Sequence, residues 1–203
     1  MTYDIMIKVI SMNIDMNVGI SNRHVHLTED DFKKLFNNKE LEAVKYLNQP
    51  GQFASNLKVT IKTEKSEISG VRVLGPLRDY TQVEISKTDA YKLGLNPPVR
   101  ESGNLKGSED ITIIGDNEIM VKECTIIATR HIHASKEDLV KYNLDASKKY
   151  KVKINGEKGG IINNVSIKVS DKAFFEMHLD TDDGNGHLLK CGDTATIIGE
   201  DNE

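Results

Sequence analysis

The sequence predicts a mainly β protein of small barrels or sandwiches, with a few short helices and one structural unit present twice. Three observations carry this. Short segments rich in β-branched residues recur along the 203 residues, and Gly, Asn and Asp punctuate them. An Arg-His-aliphatic-His motif occurs at Arg23–His26 and again at Arg130–His133. Many short strands between turn residues are the pattern of small closed or packed sheets.

The stretch Met1 to Asn17 carries Asp4 and Asp15, lacks a basic cluster and has no compact apolar run ending in small residues. It does not read as a secretory leader. A plain extension is expected, with strand, amphipathic helix or docking peptide as alternatives. Strands are expected at Leu57–Ile61, Val71–Val73, Gln82–Ile85, Ile111–Ile114, Tyr150–Ile154, Val165–Val169 and Thr194–Ile198. Several alternate apolar with polar residues, as a half-buried sheet does. Thr28 ahead of Glu29, Asp30 and Asp31, and Ser135 ahead of Glu137 and Asp138, each place a capping hydroxyl before first-turn acids, an order the helix dipole favours. A third short helix is expected from Thr88 as cap to Gly94 as stop. Pro97–Gly107 reads as loop.

Lys plus Arg number 27 and Asp plus Glu 31, for a net charge of −4. Non-specific nucleic-acid binding needs a positive field. The 5 Phe and 6 Tyr, with no Trp, offer few stacking platforms for single strands. No apolar run nears the roughly 20 residues of a membrane helix. Two cysteines, Cys124 and Cys191, make no disulfide framework, so a reducing cytosol is the expected compartment.

The repeat extends beyond the motif. His131 follows His24 by 107 residues, and a capping hydroxyl, Thr28 or Ser135, stands two residues after the second His of each copy. A spacing of 13 separates Val71 from Glu84 and Val165 from His178. That correspondence lays Val83-Glu84-Ile85 on Met177-His178-Leu179, and Asp89 on Asp183.

In a strand, residues i and i+2 share a face. His24 and His26 then converge while Val25 turns inward; His131 and His133 converge while Ile132 turns inward. Two imidazoles on one face are a chelating pair, and zinc commonly adds a third protein ligand and leaves a position open. Glu84 and His178, each between aliphatic residues, are the natural third ligands. The expected triads are His24/His26/Glu84 and His131/His133/His178, facing one another as a paired-metal centre. His187, in a Gly/Asn-rich segment, reads as a surface residue.

Arg23 and Arg130 precede the first His of each pair and point to the opposite strand face. A salt bridge that holds the strand and an anion-binding role are both open. Arg78 follows a Gly-Pro break six residues before Glu84, where a guanidinium suits a carboxylate or phosphate. Cys124 in an apolar strand and Cys191 beside a Gly-Asp turn read as buried or incidental. Neither a nucleophile elbow nor a Walker-type loop is present.

The blocks Ser21–Leu27, Pro50–Ala54, Val71–Pro76, Thr81–Ser86, Pro97–Gly103, Arg130–His133 and Glu176–Asp182 resemble the successive signatures of the PduL-type phosphate propanoyltransferase family, from about Val18 to about Asn185. The resemblance implies a phosphotransacylase associated with propanediol utilisation, which interconverts propanoyl-CoA or acetyl-CoA plus phosphate with acyl phosphate plus CoA. It implies two zinc ions per chain, on His24, His26 and Glu84 and on His131, His133 and His178, the grouping the repeat reaches independently. Phosphate would fall on Arg78, and coenzyme A on Ile20, Ser21, Asn22, Lys65, Arg72 and Asn185.

The same resemblance implies two small β-barrels with short capping helices and the active site between them. The first barrel would span 23–128 and the second 13–22 plus 129–203, after an N-terminal extension over 1–12. The implied partners are acyl-CoA, phosphate and a second copy in a homodimer. The implied address is the cytoplasm or the inside of a bacterial microcompartment, as cargo or shell partner. The short stretch before the first barrel strand counts against encapsulation. Two other functions fit the triads. A binuclear metallohydrolase would need a bridging carboxylate, for which only Glu84 is on offer, and a non-catalytic reading has metals stapling two barrels together.

Overall fold

The computed structural model describes residues 12–202. Apart from Met12, the extension expected over 1–12 lies outside the described residues. In chain order the elements are β1 (Ile14–Ser21), β2 (His24–His26), α1 (Glu29–Leu35), β3 (Ala43–Tyr46), β4 (Phe53–Lys62), β5 (Glu67–Gly75) and β6 (Gln82–Glu84). There follow α2 (Lys87–Leu93), β7 (Val99–Arg100), β8 (Glu109–Ile114), β9 (Glu118–Ala128), β10 (His131–Ala134) and α3 (Lys136–Tyr142). The chain ends with β11 (Tyr150–Ile154), β12 (Gly160–Val169), β13 (Glu176–Asp180), α4 (Thr181–Gly186) and β14 (Thr194–Glu200).

The strands close two six-membered rings. One runs β1-β13-β10-β12-β11-β14 and returns to β1. The other runs β4-β5-β2-β6-β9-β8, with β8 pairing back onto β4. β3 extends the second ring beside β4, and β7 pairs with β9. Closure removes the exposed edges that an open sheet would present. Each barrel has its own core. Val25, Val59, Ile61, Val73, Val83, Ile111 and Ile113 fill the barrel that holds β2. Val18, Ile132, Tyr150, Val152, Met177 and Ile197 fill the one that holds β10.

The barrels exchange strands. β1 pairs in parallel with β13, with Val18 beside Met177, and the chain then crosses to enter β2 of the other barrel. β9 pairs in parallel with β6, with Thr125 beside Val83, and then crosses back to enter β10. Val18 and Thr125 stand 107 residues apart, the same offset as His24 and His131, so the exchange is itself part of the repeat.

The expected strands all form. The expected helix after β6 forms too, but its cap is Ser86, not Thr88: the Ser86 hydroxyl accepts from Asp89 N, and Asp89 returns the bond in a capping box. Thr88 N donates instead to Asp182 Oδ2 of the other barrel at 2.7 Å. The segment Pro97–Gly107, expected as loop, contains the two-residue β7. Among the described residues no helix is long and apolar enough to cross a membrane.

Ile132 is fully buried between the two histidines of its strand. Ile132→Ala is expected to cost about 2–5 kcal/mol, the range for an aliphatic core truncation. Urea unfolding of wild type and variant measures it, and a loss well under 1 kcal/mol would mean that this barrel core repacks freely.

Candidate metal centre and substrate cleft

Strand register builds both triads. In β2, His24 stands opposite Glu84 and His26 opposite Gln82 of antiparallel β6. In β10, His131 stands opposite His178 and His133 opposite Glu176 of antiparallel β13. Directly opposed residues project from the same sheet face. Each His-x-His pair therefore gains one residue from the neighbouring strand, while Val25 and Ile132 enter the cores. The ligand atoms of His24, His26 and Glu84 lie within 4.8 Å of one another, as do those of His131, His133 and His178.

The backbone sets the imidazole tautomers. His24 Nδ1 lies 2.8 Å from Asn22 O, and His131 Nδ1 lies 2.8 Å from Thr129 O. A carbonyl only accepts, so each Nδ1 carries the proton and Nε2 keeps the lone pair in the neutral ring. Both carbonyls belong to the segments that cross between the barrels. His24 Nε2 is 3.4 Å from Glu84 Oε2, and His131 Nε2 is 3.2 Å from His133 Nε2. Two ligands of one tetrahedral zinc stand about 3.3 Å apart at ordinary bond lengths. His26 Nδ1 is buried without a hydrogen-bond partner. The donor sets, two nitrogens with a carboxylate and three nitrogens, suit a borderline divalent ion such as zinc.

The electrostatics follow from burial. Burial would raise the Glu84 carboxyl, but the charges of His24, His26 and His131 outweigh it and hold the group far below the usual carboxylate range. Burial depresses His24, yet Glu84 overcomes this and raises it above its ordinary value. Burial pushes His131 down to about 4 and His133 down to about 2, and it pushes His26 well below its ordinary value.

The arginines before each pair make ion pairs. Arg23 Nε donates to Asp89 Oδ2 at 2.8 Å, and Arg130 grips Asp183 with two bonds of 2.7 and 2.6 Å. Asp89 and Asp183 occupy the same place near the N-termini of α2 and α4, so of the two readings left open for these arginines the structure has the salt bridge.

Both triads open onto a narrow cavity between the barrels, lined by His24, Glu84, His131 and His178 with the crossing residues Asn22 and Thr129. A cleft of about 850 Å³ adjoins it and is lined by Ile20, Ser21, Asn22, Arg72, His178 and Cys191, among others. Gly19 stands beside His178 in the ladder, and a Cβ there would come within 3.0 Å of the ring. Arg78 Nη1 donates to Ser102 Oγ at 3.1 Å and to Tyr80 Oη at 3.2 Å. Gln82 Nε2 contacts Ser102 Oγ at 2.9 Å and Glu84 Oε1 at 2.6 Å, so a polar chain joins Arg78 to the first triad.

Two expected coenzyme A contacts do not line the cleft. Lys65 stands on the β4–β5 turn, where its Nζ donates to Tyr91 O at 3.1 Å. Asn185 is exposed on α4. His187 is half-buried, with its Nδ1 2.8 Å from Lys158 O. Cys124 is buried with its thiol pushed up to about 11, whereas Cys191 is exposed and its Sγ accepts from Ile20 N at 3.3 Å.

The structure adds residues that the sequence reading missed. Glu176, buried at 3% exposure, accepts from Asn48 at 2.8 Å and lies 2.9 Å from His178 Nε2. Glu84 is therefore not the only carboxylate at the centre. Glu176 sits at the repeat position of Gln82, two residues before the third ligand of its triad, and that offset was its sequence signal. Ser102 lies within the signature block Pro97–Gly103, whereas Asn48 and Lys168 had no signal, because barrel closure brings them in from unrelated segments.

The family model for phosphate propanoyltransferase matches residues 17–190. The chain belongs to the phosphate propanoyltransferase family. It is similar to the phosphate propanoyltransferase of Thermotoga maritima, with 48% identity over 89% of this chain and 88% of that one. It is 42% identical to the Rhodopseudomonas palustris protein of the same name, over 89% of this chain and 80% of that one. The Salmonella typhimurium protein of that name is 43% identical over 83% of this chain and 81% of that one. This family member is accordingly an acyltransferase.

The shifted histidines make the metal-free enzyme acid-sensitive. In the unfolded chain an imidazole titrates near about 6.5. Above that value His26, His131 and His133 are neutral in both states and their contribution is complete. As pH falls from about 6.5 toward about 4, the unfolded chain takes up protons that the folded chain refuses, and stability drops. The slope approaches about 1.4 kcal/mol per pH unit for each such histidine. His24 acts oppositely: its contribution is complete below about 6.5 and fades as pH rises through its raised folded value. Three against one, the chelator-treated protein is expected to unfold at lower urea at about pH 5 than at about pH 7.5. Equal midpoints would contradict this.

Proposed function

We propose that the protein is a phosphotransacylase that interconverts short-chain acyl-CoA, propanoyl-CoA and acetyl-CoA, plus phosphate with acyl phosphate plus CoA at a site for two zinc ions. The observation that supports this most is the convergence of two ligand triads on one interbarrel cavity, with Arg78 tied to one triad through Ser102 and Gln82. His24, His26 and Glu84 would hold one ion and His131, His133 and His178 the other. When bound, zinc supplies Lewis acidity toward a thioester oxygen and a soft partner for a departing thiolate.

The chain's own residues do the rest. Arg78 binds phosphate and turns one oxygen toward the thioester carbonyl carbon, so that an encounter becomes a positioned reaction. The new C–O bond forms as the C–S bond breaks, and the electron pair leaves on the CoA sulfur. No protein nucleophile is required. Cys124 is buried with a raised thiol, and the Cys191 sulfur is engaged by the Ile20 amide.

The cleft beside His178 suits the pantetheine arm of CoA, with Ile20, Ser21, Asn22 and Arg72 along it. Lys65 and Asn185, outside the lining, are assigned to the outer, polar part of CoA, where a lysine suits phosphate. The division into 23–128 and 13–22 plus 129–203 belongs to the same reading. So do a homodimer and an address in the cytoplasm or a bacterial microcompartment.

The test is CoA release from propanoyl-CoA with and without phosphate. Arg78→Ala is expected to lower phosphate-dependent release by about 10²- to 10³-fold, as removal of one preorganised charge donor does, with metal content unchanged. Full activity in that variant would remove Arg78 from the mechanism. Across a series of acyl-CoA lengths, acetyl and propanoyl should differ by no more than about 10- to 200-fold in kcat/KM, since one methylene is worth only about 1–3 kcal/mol. A preference for octanoyl would contradict the short-chain assignment.

A further inference from the structure

Lys168 is an unassigned cation at the seam of the two barrels. It stands on β12 beside His133 of the second triad. Its side chain is exposed, and among the described residues no carboxylate forms an ion pair with it. Two cavities meet at it. One, of about 360 Å³, is lined by Ser102, Thr129, His131, Ser166, Lys168 and Glu101, among others. The other has Gln49, Pro50, Gln52, His133, Lys168 and Asp171 in its walls.

Arg78 approaches the same space from the other barrel. It donates to Ser102, which lines the first cavity, and it shares a cleft with Pro50 and Gln52, which line the second. Arg78 and Lys168 thus border the space around Ser102 and the Pro50–Gln52 turn, one from each barrel. Two nearby acids are engaged elsewhere. Glu101 lies 3.8 Å from Lys149, and Asp171 lies 3.1 Å from Lys136.

One guanidinium grips one side of an anion. Phosphate near neutral pH carries between one and two negative charges on a tetrahedron, so a second cation on the opposite side both balances and orients it. We propose that Lys168 is the second cation of the phosphate subsite, holding the attacking phosphate and the acyl phosphate it becomes from the barrel opposite Arg78. This rests on the phosphotransacylase reading. As a flexible point charge, Lys168 can follow the phosphate as it moves from attack to product.

The test uses the full chain loaded with zinc, as wild type, Lys168→Met and Lys168→Arg. In the CoA-release assay, Lys168→Met is expected to raise KM for phosphate about tenfold or more, the loss of one charge-assisted bond, with KM for propanoyl-CoA held within about twofold. Lys168→Arg keeps the charge and is expected to recover most of the loss. Calorimetric titration with inorganic phosphate, without acyl-CoA, should show the same weakening. Equal phosphate affinity in wild type and Lys168→Met overturns the proposal, whatever KM does. Loss of metal from Lys168→Met also overturns it, because the residue would then support the second triad instead. If the wild type shows no phosphate-dependent release, the phosphotransacylase reading falls, and the phosphate titration still decides Lys168.

Discussion

The double crossover between the barrels is the constraint on which the rest of the molecule depends. Each barrel is closed by a strand whose chain then leaves it to supply the histidine strand of the other. The crossing segments must run through the seam, and they put backbone carbonyls there. Asn22 O and Thr129 O accept from His24 Nδ1 and His131 Nδ1, which fixes ring orientation and frees each Nε2. The next residue of each crossing, Arg23 or Arg130, is anchored to an acid near the N-terminus of α2 or α4. Crossing, tautomer and helix placement are therefore set together.

This arrangement accounts for polar groups buried on the outside of a barrel. The ligand face of β2 and β10 points away from its own core, and the opposite barrel covers it. His24, His26 and His133 are buried for that reason. Buried polar groups are costly unless partnered; His26 Nδ1 is left without a partner, but for other polar groups the seam supplies partners from both sides. Asn48 of one barrel donates to Glu176 of the other, Gln49 bonds both ways with the Phe174 backbone, and Thr88 N donates to Asp182. The same contacts that satisfy these groups hold the barrels at the spacing the cavity requires.

Much of this was legible in the sequence because duplication leaves a signal that single motifs lack. The 107-residue offset of the His-x-His pairs and the equal spacing of Val71–Glu84 and Val165–His178 single out the six residues that the fold gathers into two clusters. Strand period and ladder register do the rest, since a residue opposite His24 or His131 has no other face to occupy. The entry of β1 into the far barrel was not readable from periodicity, which reports a strand but not its neighbour; only the family resemblance implied it. Asn48 and Lys168 escaped for a related reason. They reach the seam from the β3–β4 connection and a strand whose local pattern is ordinary. The cap at Ser86 was missed because two hydroxyls, Ser86 and Thr88, compete within one turn, and the partner Asp89 selects between them.

The duplicated halves are not equivalent, and their differences give the two sides of the seam different surroundings. The third ligand position holds a carboxylate in one half and an imidazole in the other, and two residues earlier Gln82 is replaced by Glu176. Each half thus keeps one carboxylate in contact with an imidazole, Glu84 with His24 and Glu176 with His178. The strand that flanks the third ligand also differs. Ile126, fully buried, stands beside Glu84, whereas Gly19 stands beside His178. A side chain at Gly19 would strike the His178 ring, and its absence leaves the large cleft open at that triad. The polar chain from Arg78 through Ser102 and Gln82 ends on Glu84. On the proposed reading, one half faces the long acyl carrier through a gap made by a missing side chain, while the other is wired to the group that holds the anion. An exact repeat would give both halves the same gap and the same wiring. On that reading, the departures from symmetry are what allow two unlike substrates to meet at one seam.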